Sequence, residues 1–308
     1  MPLEPRFISV TYGAGGTTRD LTRDAVSTLH KSSGLRVTAH LTCRNASRQE
    51  TVAIARSFAA AGVSDIVALR GDPPKGVDGF TPHPEGFQSS LELISALAQT
   101  GDFTLRVAAY PESHPEAESP TADIEFLKRK IDAGASEALT QFFFEAETFL
   151  RFRDACDKAG INVPITPGIL PIENWQGTRR FAKACNAKVP NWLTDAFSKA
   201  ERDDREDLLA TAVCTELCSQ LIDEGVDKLH FYTLNRPDLT RDICHALGIT
   251  TAVKLEKNCL IKQLLCPFKS GQCGPGFRFG VRFGPARYPS HDSVAKYVRL
   301  RPKMYKTT

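Results

Sequence analysis

The stretch that most limits what this chain can fold into is Asp65-Ile66-Val67-Ala68-Leu69-Arg70-Gly71-Asp72. Ile66 to Leu69 are apolar without alternation, and the run stops at a cation, a glycine and an anion. A strand reads this way when both of its faces are covered, because neither side meets water. Such strands belong to parallel sheets flanked by helices, where chemistry gathers at the carboxyl ends of the strands. Arg70, Gly71 and Asp72 stand at that end, and Gly71 lets a ligand approach the backbone. Taken alone, the same residues also describe an ordinary strand–loop junction with an exposed Arg–Asp pair.

The design recurs along the chain. Phe7-Ile8-Ser9-Val10-Thr11-Tyr12-Gly13 reads as a buried strand entering a Gly-rich turn, followed by helical spacing of Leu21, Ala25 and Leu29. Val37-Thr38-Ala39-His40-Leu41-Thr42-Cys43 is the next strand, and Ser47 with Glu50 forms a capping box for a helix that stops at Gly62. After the Asp65 strand come Leu105-Arg106-Val107-Ala108-Ala109-Tyr110, Ala138-Leu139-Thr140-Gln141-Phe142-Phe143-Phe144, Val163-Pro164-Ile165-Thr166-Pro167-Gly168-Ile169-Leu170 and Lys228-Leu229-His230-Phe231-Tyr232-Thr233-Leu234-Asn235. Helical patterns separate them. Two helical stretches precede the last strand, residues 203–224 being the clearer. Alternation of this kind predicts right-handed βαβ units in a parallel sheet. No GxGxxG follows a strand, so the nucleotide-binding open sheet lacks its main signature. The expected fold is α/β, a (β/α)₈ barrel with seven strands visible and the first missing.

Composition bears on organisation rather than on fold. From Thr250 to the end there are twelve Lys/Arg and two Asp/Glu, whereas the whole chain carries only +3. That break divides a barrel over residues 1–250 from a basic, irregular tail over residues 251–308. In the tail, aromatic and basic residues repeat in no nucleic-acid-binding pattern. No run nears the roughly 18 apolar residues of a membrane span, and no secretory signal is visible in the first residues. Nine cysteines are scattered without CxxC spacing, which points to buried thiols in a reducing cytoplasm and to no metal site.

The strand ends carry a resemblance. Val10-Thr11-Tyr12-Gly13, His40-Leu41-Thr42-Cys43, Leu69-Arg70-Gly71-Asp72, Ala109-Tyr110-Pro111-Glu112 with His114-Pro115-Glu116, Thr140-Gln141-Phe142-Phe143-Phe144, Pro167-Gly168-Ile169-Leu170-Pro171 and His230-Phe231-Tyr232-Thr233-Leu234-Asn235-Arg236 resemble methylenetetrahydrofolate reductase of the bacterial type, over about residues 7–249. The resemblance implies a cytoplasmic flavoprotein that uses FAD and forms a homo-oligomer. NADH or NADPH reduces the flavin, and the reduced flavin passes a hydride to 5,10-methylenetetrahydrofolate, giving 5-methyltetrahydrofolate for methionine synthesis. It also implies residue roles. Thr11, His40, Leu69, Arg70, Gly71 and Asp72 fall where the family contacts the flavin. Tyr110, His114, Asp123 and Lys130 fall where it holds the ribityl, diphosphate and adenosine parts. Asp72, Gln141, Phe181 and Arg236 match positions that meet the folate or nicotinamide. Phe87 stands where a Tyr often occurs, which implies one flavin hydrogen bond fewer.

The residue types suit these roles. A carboxylate at Asp72 would stabilise the cationic iminium that forms when the methylene donor opens. Gln141 offers the donor and acceptors that a pterin edge requires; it also suits an inward polar position on a barrel strand. Phe181 could stack on a planar ring or simply pack in the core. Arg236 could hold a substrate carboxylate in a bidentate pair or stand solvated before Pro237. Lys130 could meet a diphosphate, or could belong to a wet helix face with Lys128 and Arg129. His114, between prolines, suits ligand contact, and His40 suits either a ligand or a satisfied interior position.

Two departures from the family are expected to matter. The family's first strand, whose Glu acts as general acid, has no match ahead of Phe7. Glu4 does not fit that motif. A barrel open at one seam exposes two strand edges, and loss of general-acid help implies a flavin- or folate-binding remnant with little turnover. The tail resembles nothing in the family, so trimming it should change little.

Overall fold

The computed structural model describes residues 3–11, 19–71, 80–249 and 294–299. In chain order the elements are β1 (Phe7–Val10), α1 (Arg19–Ser33), β2 (Val37–Thr42), α2 (Arg48–Ala60), β3 (Asp65–Leu69), α3 (Ser90–Ala98), β4 (Thr104–Ala109), α4 (Pro120–Asp132) and β5 (Glu137–Phe142). They continue with α5 (Ala146–Lys158), β6 (Ile165–Ile169), α6 (Trp175–Ala184), α7 (Asn191–Arg202), α8 (Glu206–Asp223), β7 (Lys228–Tyr232), α9 (Pro237–Ala246) and β8 (Val294–Arg299). Strands β1 to β7 run parallel in chain order and, with β8, close into a barrel.

The unalternating strands are explained by what lies on their two sides. On β3, Ile66 and Ala68 pack outward with Leu93, Ile94 and Leu97 of α3, while Val67 turns inward to Phe7 and Leu139. A second outer cluster, including Phe149, Trp175, Phe197 and Phe231, lies under the later helices. The barrel floor is polar. Arg106 Nη1 donates to Asp65 Oδ1 at 2.5 Å, and Arg106 Nε donates to Glu137 Oε2 at 2.7 Å. Its guanidinium also lies 4.3 Å over the Phe7 ring. Asp65 accepts from Arg36 Nε as well, at 2.6 Å. Arg106 and Asp65 are buried and Glu137 nearly so, and each is paired, as burial requires, while Arg36 reaches Asp65 from the surface.

Local signals set the helix ends. The Ser47 hydroxyl accepts from Glu50 N at 3.2 Å, and Glu50 Oε2 accepts from Ser47 N at 2.8 Å, completing the capping box. Gly62, at φ +86°, follows the α2 C-cap, a conformation that suits glycine.

Three findings differ from the sequence reading. Between β6 and β7 there are three helices, not two, because α7 ends at Asp203-Asp204 and Asp204 turns left-handed at φ 54°. The seam expected to be open between β1 and β7 is closed. The tail expected to be irregular contributes β8, which pairs antiparallel with β1 (Ser9 opposite Ala295) and with β7 (Phe231 opposite Lys296). Both edges present unpaired backbone donors and acceptors, and a strand from far along the chain satisfies them in the opposite direction. Residues 250–293 and 300–308 of the tail lie outside the described residues, as does Asp72.

Candidate functional site

A cavity of about 380 Å³ opens at the carboxyl ends of β3 and β4 and reaches α4. Its size suits a small-molecule or cofactor site. Leu69 ends β3 and Arg70 follows it. Arg70 lies 5.1 Å over the Phe80 ring and grips Glu116 with both Nη groups, at 2.5 Å and 2.9 Å. That hydrogen bond holds the Glu116 carboxyl below its ordinary range. Gly71, at φ +92°, comes next. A side chain there would crowd Thr42 and Arg44, so the backbone stays bare at the rim.

Tyr110 follows β4, and its ring meets His114 edge-on at 4.7 Å. The 111–116 loop is folded on itself. His114 N donates to Asp123 Oδ2 at 2.9 Å, and His114 Nδ1 accepts from Glu116 N at 3.1 Å. Burial, then the Arg70 charge, pushes the His114 imidazole below its ordinary value, so it is neutral at pH 7. On α4, Asp123, Phe126 and Lys130 all line the cavity, as their i, i+3, i+7 spacing allows. Lys130 is 5% exposed. Its Nζ donates to the Ala108 carbonyl at 2.6 Å and lies 5.3 Å from the Phe126 ring. Burial pushes this ammonium down to about 8.

The cavity thus combines aromatic walls with a buried cation that donates to a carbonyl and feels the Asp123 carboxylate. Such an ammonium favours an incoming anion. This donor set fits the phosphate-bearing part of a dinucleotide cofactor, with flat rings for its aromatic parts.

Six of the residues singled out in the sequence meet here: Leu69, Arg70, Tyr110, His114, Asp123 and Lys130. Thr11 and His40 belong to the neighbouring strand ends, outside the cavity lining; His40 pairs in register with Val67. Gln141, Phe181 and Arg236 also lie outside it. Gln141 is on β5 and its Oε1 accepts from Phe142 N at 3.1 Å. Phe181, on α6, lies 5.1 Å from the Phe142 ring, so it is a core contact on the face of β5 opposite to that of Gln141. Arg236 precedes α9 and pairs with Glu173, Nε to Oε2 at 2.8 Å. Phe87 is a core residue, 2% exposed, beneath the Arg48 guanidinium. Phe80, Phe126 and Glu116 take part without having been singled out. Of these, Phe126 was accessible through its helical spacing from Asp123 and Lys130.

A barrel of seven parallel strands closed by an antiparallel eighth, with a cavity at the strand ends, is an α/β fold of the TIM-barrel kind. A family profile described as methylenetetrahydrofolate reductase matches residues 1–248. The chain is 45% identical over 248 residues to the 5,10-methylenetetrahydrofolate reductase of Pectobacterium carotovorum subsp. carotovorum, covering 80% of this chain and 81% of that one. It is 44% identical over 248 residues to the protein of that name from Escherichia coli (strain K12), covering 80% and 82%. With methylenetetrahydrofolate reductase (NADH) 1 of Arabidopsis thaliana it shares 36% over 267 residues, 82% of this chain and 45% of that one. The chain belongs to the methylenetetrahydrofolate reductase family.

Proposed function

We propose that the protein reduces 5,10-methylenetetrahydrofolate to 5-methyltetrahydrofolate, with FAD in the cavity and NADH or NADPH as electron donor. The observation that carries this reading is the convergence, in one cavity, of six residues that the family resemblance singles out along 62 positions of chain, Leu69 to Lys130. When bound, FAD supplies hydride transfer between nicotinamide and folate. Lys130 holds the diphosphate and Tyr110 flanks the adenosine and ribityl parts. Asp123 fixes the backbone of His114, and neutral His114 donates or accepts without adding charge. Leu69, Arg70, Gly71, Thr11 and His40 bound the flavin ring. Asp72 stabilises the cation of the opened methylene donor. Gln141 meets the pterin edge, Phe181 stacks beside it, and Arg236 takes the substrate's carboxylate. A cytoplasmic homo-oligomer serving methionine synthesis belongs to the same proposal. Cys43, Cys156, Cys214 and Cys218 are buried thiols, which suits a reducing compartment.

A second reading, binding with little turnover, is favoured by one feature. The stave between β1 and β7 is Val294-Ala295-Lys296-Tyr297-Val298-Arg299, which contains no carboxylic acid to protonate the opening ring. Purified protein should be yellow and should release flavin in acid; protein that stays colourless after incubation with FAD overturns the cofactor assignment. The reduced protein should then be reoxidised by methylenetetrahydrofolate. Asp72→Asn should leave flavin binding intact and slow that half-reaction about 100-fold, as for removal of one charge-stabilising group. Flavin that binds but is never reoxidised by the folate selects the second reading.

A further inference from the structure

We infer that Glu173 is a positioning residue that aims Arg236 at the carboxylate of the folate's glutamate tail. The inference rests on the role proposed for Arg236 above. The two residues come from different connections of the barrel, Glu173 from the one between β6 and α6, Arg236 from the one between β7 and α9. Glu173 is fixed in place: its side chain is 17% exposed and its N–H donates to Pro171 O at 3.2 Å. Arg236 is the opposite, with 66% of its side chain exposed, held by Nε on Glu173 Oε2 at 2.8 Å. Its backbone is pinned as well, through Arg236 N donating to Thr233 O at 2.7 Å, across a turn in which Leu234 and Asn235 are both left-handed. Two consecutive non-glycine residues in that conformation cost energy and mark a turn held in one shape. An arginine on a long side chain loses much rotamer freedom when it binds an anion. Anchoring one nitrogen to a half-buried carboxylate removes part of that loss beforehand, and the exposed remainder of the fork still suits a carboxylate.

The anchor titrates. Burial raises the Glu173 carboxyl to about 7, Arg236 opposes that rise, and Asp238 of α9 with Asp207 of α8 add to it. These three are the charged groups that bear on Glu173 from the elements packed around it. As pH falls through about 7, Glu173 takes up a proton and its ionic hold on Arg236 is lost. Binding of a glutamate-bearing ligand therefore weakens, whereas binding of a pteroate, which lacks that tail, does not.

The experiment is calorimetric titration of FAD-loaded protein with 5-methyltetrahydrofolate and with the corresponding pteroate, between pH 6 and pH 8. The unmodified protein should prefer the glutamate-bearing ligand, and by about tenfold more at pH 8 than at pH 6, the scale of one charged hydrogen bond. Glu173→Gln keeps the size of the side chain and should hold the preference at its low-pH value throughout; Arg236→Ala should abolish it. A preference that Arg236→Ala leaves intact overturns the role of Arg236 and this inference with it. A preference lost in Arg236→Ala but unchanged, with its pH dependence, in Glu173→Gln overturns the inference alone. A pH-independent preference in the unmodified protein overturns it without recourse to any variant.

Discussion

Lys130 ends on the Ala108 carbonyl among aromatic rings, and burial lowers its pKa from 10.5 to about 8. The sign of its effect on stability follows. Below about pH 8 both folded and unfolded chains carry the proton, and folding bears the full cost of burying the charge. Between 8 and 10.5 the unfolded chain binds more protons, so stability rises with pH until the cost is gone. The difference corresponds to about 3 kcal/mol. Lys130→Met should therefore be the more stable protein at pH 7 by about that amount, converging with the unmodified protein near pH 10.5, while binding FAD more weakly. Denaturant melts at both pH values check this; parallel curves for the two proteins would count against a buried ammonium. Such a residue destabilises the unliganded fold, a cost that the diphosphate proposed for this cavity would offset. Its place was half legible in the sequence. Asp123, Phe126 and Lys130 share a helix face, but Lys128 and Arg129 beside them suggest an ordinary wet surface, and Lys128 does pair with Asp132 in that way. The partnership of Arg236 with Glu173 was not legible at all, because 63 positions separate them and no local period links two loops.

The strands teach a related lesson. β1 to β7 were legible because two-sided burial leaves an unalternating apolar run, and some of these runs stop at a polar residue, as Leu69-Arg70 does. The same reading hid Arg106, which passes as an interruption in Leu105-Arg106-Val107. In the barrel it is the centre of the floor, with Asp65, Glu137 and Thr38 around it. These four residues come from β4, β3, β5 and β2, four adjacent strands, so it is non-local sheet pairing that brings them together. Arg106→Leu would leave Glu137 without its cation and Asp65 with Arg36 alone. Removing one partner of a buried ion pair costs about 3–5 kcal/mol, enough to lower the thermal midpoint by many degrees in any domain of ordinary stability. Adding Asp65→Asn and Glu137→Gln to Arg106→Leu should recover much of the loss, since the uncompensated charge goes with them. Thermal melts of the single and triple variants test the point, and a neutral Arg106→Leu would show that the floor is hydrated rather than ionically locked.

At the scale of the whole molecule, the deciding element is the one that local reading missed. Val-Ala-Lys-Tyr-Val-Arg has strand-forming residues, but it sits in a basic tail of irregular pattern, and nothing local names its partners. Pairing is a non-local property, and the partners are the two edges that the parallel strands leave open. β8 meets β1 over four residues and β7 over five. Without it, the edges of β1 and β7 lose their pairing. Trimming residues 300–308 leaves β8 whole and should leave the melting temperature unchanged. Trimming from Thr250 onward removes the stave itself, contrary to the expectation that the tail is dispensable. An isolated parallel edge exposes backbone groups that invite aggregation, so this shorter form should melt at lower temperature and aggregate. Replacing Tyr297 by Pro within the full chain is the finer test, because proline removes a ladder donor and cannot sit in a central strand. It should reproduce the effect of the long trim while leaving chain length and most of the tail's charge untouched. If both the long trim and Tyr297→Pro melt like the full chain, β8 does not close the barrel in solution, and the seam between β1 and β7 is open as the sequence first suggested.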